Sequence, residues 1–267
     1  MGSFSNKIYG YFGAEKVTSP AKIGGLPLGC RMELLDGRLF AHAKMSATAG
    51  VAGNLYRQNA LGVVAGTADA DMLVNMAPAD AAIGAKTVTV TLSATAGVSK
   101  DLLEDGYLFV AEGTGAGHTY KIKSHPAAVK STTCAFSLYD NDAVKVALAS
   151  GTSKVGLRQN EFHNLLLNTA NTVSTGPLAG ILPVAAPANY YCWVQRRGPV
   201  AAFTDNTTLI VGNPVTASST VAGQVAVLNI TAADTAGTGV RKGNDPIGYC
   251  MNVAASAKYS LINLTLE

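Results

Sequence analysis

The 267 residues carry a formal net charge of +3, and charged side chains make up 14% of them, against roughly 25% in an ordinary soluble domain. So small a net charge, with no basic cluster longer than Arg196-Arg197, argues against a nucleic-acid partner, and no apolar run reaches the roughly 18–20 residues of a membrane helix. With 48% hydrophobic residues so thinly diluted by charge, part of the surface is expected to be covered by partners.

Residues 1–29 read as an extended arm. Phe4, Tyr9, Tyr11 and Phe12 alternate with Gly10 and Gly13, and Pro20, Gly24-Gly25 and Pro27 break any regular element. A segment this rich in Gly and Pro does not easily build a core of its own, so its aromatic side chains are expected to pack on a neighbouring subunit. Residues 1–7 lack the charged-then-apolar pattern of a secretory signal, and Asn6 departs from the myristoylation pattern. The expected compartment is a cytoplasm.

Asp36-Gly37 between two apolar runs predicts a hairpin over 31–43. Residues 59–84 carry no assignable pattern. The clearest strand is KTVTVTL at 86–92, with Val88, Val90 and Leu92 on one face and Thr87, Thr89 and Thr91 on the other. Asp105-Gly106 then turns the chain into a continuous apolar strand at 107–111. A glycine-rich loop at 112–118 leads to an alternating strand at 119–123, and further strands are expected at 134–139, 144–149 and 161–168.

The run ANYYCWVQRRGPVAAF at 188–203 reads as a strand carrying the only Trp, Trp193, and stopped by Gly198-Pro199. Beyond it, turn-forming groups at 212–214, 222–223, 237–239 and 243–246 recur about every 8–12 residues, the spacing of a sandwich or small barrel. The expected fold class is therefore all-β: β-barrel or β-sandwich modules of short strands, with an extended N-terminal arm. Residues 30–83 and 159–267 form one module, and a second β-rich module, 84–158, interrupts it or sits beside it.

No catalytic constellation stands out, and neither an enzyme nor a cofactor is expected. The loop GTGAG at 113–117 is followed by His118 and a strand, whereas a dinucleotide fingerprint leads into a helix. His118 and His125 bracket that strand, and His42 and His163 lie elsewhere, with no spacing that demands a metal site. Asp140-Asn141-Asp142 lacks the glycine and distal Glu of a calcium loop, and Asp69 with Asp71 is a similar loose pair. Cys30, Cys134, Cys192 and Cys250 form no CxxC pair and read as reduced. Three N-glycosylation patterns, at Asn206, Asn229 and Asn263, read as chance matches in a Thr-rich chain. Arg196-Arg197 beside Trp193 reads as an exposed strand end suited to inter-subunit salt bridges.

LPLG at 26–29 followed by LDGRLFAHA at 35–43, AKTVTVTL at 85–92, GYLFV at 106–110 and GAGHTYKIKSHP at 115–126 resemble tailed-bacteriophage head decoration (cement) and related virion structural proteins. So do YYCWVQ at 190–195, GPV at 198–200, VGNPV at 211–215, GQV at 223–225 and Ile247-Gly248. The resemblance implies a component of the outer capsid surface, assembled in a host cytoplasm as a small homo-oligomer (trimer or dimer). It would bridge neighbouring major capsid protein subunits and stabilise the shell. Such proteins act through surfaces, and Phe4, Tyr9, Tyr11, Phe12, Trp193, Arg196 and Arg197 are the expected contacts. The alternative is a tail- or fibre-associated structural protein or a host-glycan-binding adhesin.

Overall fold

A computed structural model of the chain describes residues 7–58, 63–64, 67–68, 75–94, 97–170, 176–228, 246–253 and 255–266. Phe4, Asp69, Asp71, the Asn229 motif and the turn residues 237–245 lie outside the described residues. The fold is all-β: among the described residues there are eighteen strands, two 3-10 turns and no α-helix. The chain divides into two compact units, a host of Met1–Asn59 with Phe162–Glu267 and an insertion, Ala60–Glu161.

The host begins with β1 (Lys7–Gly10), β2 (Arg31–Leu34), β3 (Leu39–Lys44) and β4 (Leu55–Arg57). The insertion carries β5 (Val63–Val64), β6 (Thr67–Ala68), β7 (Thr87–Thr91), β8 (Tyr107–Glu112), β9 (Thr119–Ser124), β10 (Thr133–Leu138) and β11 (Lys154–Arg158). The host resumes with β12 (Leu166–Leu167), β13 (Leu178–Ile181), β14 (Tyr191–Phe203) and β15 (Pro214–Ala217). It ends with β16 (Val225–Val227), β17 (Gly248–Cys250) and β18 (Tyr259–Thr265).

In the insertion, β7 to β11 form an antiparallel sheet in the order β11-β8-β9-β10-β7. Its inner face follows the period of two: Val88, Val90, Leu108, Val110, Tyr120, Ile122, Phe136 and Val155 join one buried cluster. β8 alternates as well, rather than being buried on both sides, and Lys121 Nζ sits 3.9 Å above the outward Tyr107 ring. Residues 76–81 then link the two end strands. Met76 exchanges backbone hydrogen bonds with Val155 of β11 (3.1 and 2.9 Å), while Thr91 donates to Ala77 and Ala79 donates to Thr89 on β7. The five-stranded sheet is thereby closed into a barrel, and both of its end strands are paired. The strand expected at 144–149 is absent. Val144 and Leu148 are buried, but a bend at 145–146 leaves the backbone paired only at isolated points.

The host unit is built on β14, 13 residues long. Its first half pairs with β3, from Tyr191↔Lys44 to Gln195↔Phe40, and its second half with β18, from Arg197↔Thr265 to Phe203↔Tyr259. The change of partner occurs at a bulge after Gln195. There Gly198 has φ 88°, and a Cβ on it would lie 2.9 Å from Arg38 Cγ, so a side chain is excluded on both counts. The buried Gln195 amide donates to the carbonyls of Arg197, Gly198 and Pro199 at 3.1, 3.1 and 2.8 Å. One side chain thus reaches the carbonyls of three consecutive residues just past the bulge.

Beside this spine, the β2–β3 hairpin turns at Asp36-Gly37, where Gly37 takes φ 81° and Asp36 accepts from Arg38 N and Nε. β4 and β13 supply Tyr56 and Ala179, and Leu182 just after β13 joins them, in a core with Ala41, Ala43, Cys192 and Val194. They also supply Leu55 and Ile181 to a second core with Val200, Ala202, Ile262 and Leu264. The strand expected over 161–168 shrinks to β12. Residues 7–29, the expected arm, run along the sheet of their own unit: Ile8, Ala14, Ile23 and Leu26 pack around Met32, Leu34, Phe40 and Trp193. Ser19 and Tyr191 exchange backbone hydrogen bonds of 3.0 and 2.7 Å.

Replacing Gln195 by Leu takes the donor away from these part-buried carbonyls, and at about 0.5–1.5 kcal/mol net per hydrogen bond should destabilise the host unit. Urea unfolding followed by the emission of the single Trp should show a lower midpoint. A midpoint equal to that of the parent chain would detach the bend from this amide.

Candidate functional site

The N-terminal edge of the host sheet gathers three of the seven expected contact residues, Tyr9, Tyr11 and Phe12. β1 is the end strand and lies parallel to β2, with Lys7↔Arg31 and Tyr9↔Glu33 in register. Gly10 permits the approach, because a Cβ there would sit 2.6 Å from Met32 Sδ. The next turn is pinned from beneath. The buried Glu15 carboxylate accepts from Gly13 N at 2.7 Å and lies 3.6 Å from Arg38 Nη1, while Ala14 N donates to Tyr11 O. Held on this strand and turn, Tyr9, Tyr11 and Phe12 are 60–77% exposed.

The edge is fastened by a shared carboxylate. Glu33 receives Lys7 Nζ at 2.5 Å and Arg197 Nη2 at 2.8 Å. The hydrogen bond from Lys7, aided by the charges of Lys7 and Arg197, holds the Glu33 carboxyl below its ordinary range. Arg197 also donates to the Gly37 carbonyl.

No protein-family model matches the chain, and neither the curated proteins nor the solved structures contain a match to it. The site is therefore judged on its geometry.

That geometry corrects the other half of the expected interface. Trp193 is a core residue, 2% exposed, because its half of β14 is interior to the sheet and covered by residues from 7–29. Its ring lies 5.2 Å from that of His42, the residue opposite it on β3. Arg196 is half-buried and donates to the carbonyls of Leu178, Ala179 and Leu266. It works as an internal clamp, and Arg197 makes its ion pair within the chain. Arg196 is thus no part of the exposed strand end read from the sequence, whereas the Arg197 side chain stays 44% exposed beside Glu33.

The remaining candidates are engaged locally. The glycine loop joins β8 to β9 and is tied down by Ser153 Oγ donating to Thr114 O at 2.7 Å. Asp140 pairs with Lys123 at 3.0 Å and Lys86 at 3.6 Å, and the Asp142 carboxylate accepts from Lys121 N. Cys134, Cys192 and Cys250 are buried thiols, with burial pushing Cys192 up to about 12, and Cys30 is half-buried. Among the described residues no three His, Cys, Asp or Glu side chains converge as a metal site. Sequence reasoning missed Glu15, Glu33 and Arg38, the supports of the aromatic turn. Glu15 signalled itself only as a charge inside a segment rich in Gly, Pro and aromatics, and Glu33 and Arg38 only as charges flanking the Asp36-Gly37 turn.

The surroundings of His125 fix its tautomer and lower its pKa. Leu103 N donates to Nε2 at 2.9 Å and Nδ1 faces Pro126 O at 2.8 Å, which fixes the neutral Nδ1–H tautomer. Burial pushes its pKa down, against the Pro126 carbonyl and the charges of Asp101 and Glu104. The unfolded chain titrates near 6.5. Between that value and the lower folded one only the unfolded chain takes the proton, so stability falls as pH falls, with a slope of at most about 1.4 kcal/mol per pH unit. Urea unfolding at several pH values below 7 should show this loss. The slope should flatten in His125→Asn, whose amide keeps a donor and an acceptor. An unchanged slope in the variant would assign the acid sensitivity to other groups.

Proposed function

We propose that the chain is a virion structural protein, a capsid decoration protein that binds the outer head surface, bridges neighbouring major capsid protein subunits and stabilises the shell. The observation that carries this reading is the exposed aromatic group Tyr9, Tyr11 and Phe12 on a strand and turn fixed by Glu15, Glu33 and Arg38. Aromatic anchors dominate the energetics of protein interfaces. Anchors already held in place lose little freedom on docking, which leaves more of their contact energy as affinity. The low charge of the chain and the resemblance of its turn-and-strand motifs to decoration proteins point the same way. The action is mechanical: a subunit that binds only the assembled shell stabilises it by mass action, repeated over every copy.

Co-sedimentation of the purified protein with shells that lack it, followed by heating, tests the proposal. Saturable binding and a higher rupture temperature are expected. The combined variant Tyr9→Ser, Tyr11→Ser, Phe12→Ser should keep its own melting temperature, since these side chains are largely exposed. It should lose at least about 30-fold in shell affinity, the equivalent of roughly 2 kcal/mol. Undiminished binding of the variant would remove this edge from the account. Failure of the parent chain to bind shells, with binding to tails or host cells, would move the protein to the fibre or adhesin class.

A further inference from the structure

A second surface of the host unit is apolar where an antiparallel strand normally presents polar side chains. β18 alternates cleanly, with Ser260, Ile262 and Leu264 inward and Tyr259, Leu261, Asn263 and Thr265 outward. Residues paired directly across an antiparallel ladder share a face. Register therefore adds Phe203, Ala201 and Pro199 from β14, opposite Tyr259, Leu261 and Asn263. From the other side it adds Tyr249 of β17, opposite Asn263, with Met251 next along, donating its backbone N–H to Leu261 O. Tyr249, Met251, Tyr259 and Leu261 are 40–53% exposed, and the one charged residue that register places on this three-strand face, Arg197 opposite Thr265 at its margin, is paired with Glu33 at 2.8 Å. One-sided sheets are usually apolar inward and polar outward. This one is apolar on both faces.

We infer that this face is the surface through which two copies of the chain associate as a two-fold dimer, sheet against sheet. Three observations select a second copy. The first is area: at about 150–250 Å² for a large aromatic side chain, the exposed parts of the four large residues amount to roughly 400 Å². The flanking Pro199, Ala201, Phe203, Asn263 and Thr265 bring the patch to on the order of 700 Å², close to the ~800 Å² per partner of a standard interface. The second is charge: the one ionised group of the face, Arg197 at its margin, is held by Glu33 of its own chain, and the β17–β18 centre of the patch carries none, so two copies meet there without like-charge repulsion. The third is Asn263, the most polar group of the patch, whose amide both donates and accepts. Near a two-fold axis such an amide can pair with its own symmetry mate. Strand addition is not the route, because β14, β18 and β17 are each paired on both sides within the sheet. Association is through side chains, at the ~10 Å spacing of stacked sheets.

The inference does not rest on the virion reading and is tested without shells. Sedimentation velocity of the full chain at micromolar concentration should give a species of twice the 27.4 kDa chain mass. Leu261→Lys and Tyr249→Lys each place like charges across the contact and should raise the dimer dissociation constant at least 100-fold, giving monomer, with circular dichroism and Trp193 emission unchanged. Should either fail to fold, Asn263→Cys decides: mild oxidation should yield a disulfide-linked dimer that the parent chain, under the same oxidant, does not form. A monomeric parent, a trimer, or a dimer indifferent to both lysines and to Asn263→Cys cross-linking overturns the proposal.

Discussion

The host unit depends on β14 changing partners midway without leaving a backbone carbonyl buried and unserved. A strand that turns from β3 to β18 must break its ladder, and each carbonyl orphaned where water is partly excluded is costly. Three consecutive side chains meet that demand by turning back onto the main chain. Gln195 serves the bend itself, Arg196 reaches Leu178, Ala179 and Leu266, and Arg197 reaches Gly37. One tripeptide thus ties the hairpin, β13 and the C-terminal segment to the spine. This is why an Arg pair can sit beside the only Trp with Arg196 turned to the inside of the unit and Arg197 holding its edge.

The two units treat their sheet boundaries differently. The insertion joins its end strands through residues 76–81 and becomes a barrel. The host keeps an end strand, β1, and beside it a turn bearing exposed aromatics. Farther along β14, the β17–β18 face carries uncharged apolar side chains outward. The 14% charge content therefore has a location as well as a value: charge is missing from particular patches.

Local patterns were legible in the sequence and long-range pairings were not. The strands around Val88–Val90 and Tyr120–Ile122 follow from alternation alone, and the first hairpin follows from Asp36-Gly37. Trp193 could not be placed by its neighbours, because its burial comes from register with His42, some 150 residues earlier, and from the cover given by Ile23 and Leu26. The closing segment at 76–81 has no period of its own, since its order comes from Thr89, Thr91 and Val155. On β18 both registers hold apolar residues, so the inward row could not be told from the outward one. Residues 144–149 misled for the opposite reason: the side chains are apolar, but the backbone bends.

The pairing of Met76 with Val155 in the insertion has a counterpart in the host, where Arg57 lies opposite Leu166. In each unit the chain therefore leaves and returns on adjacent antiparallel positions. The barrel is spliced in as a cassette whose entry and exit are neighbours, and its removal would ask the host to join two strand ends already side by side. Such an arrangement lets a lineage acquire, exchange or discard the barrel without rethreading the sheet that received it.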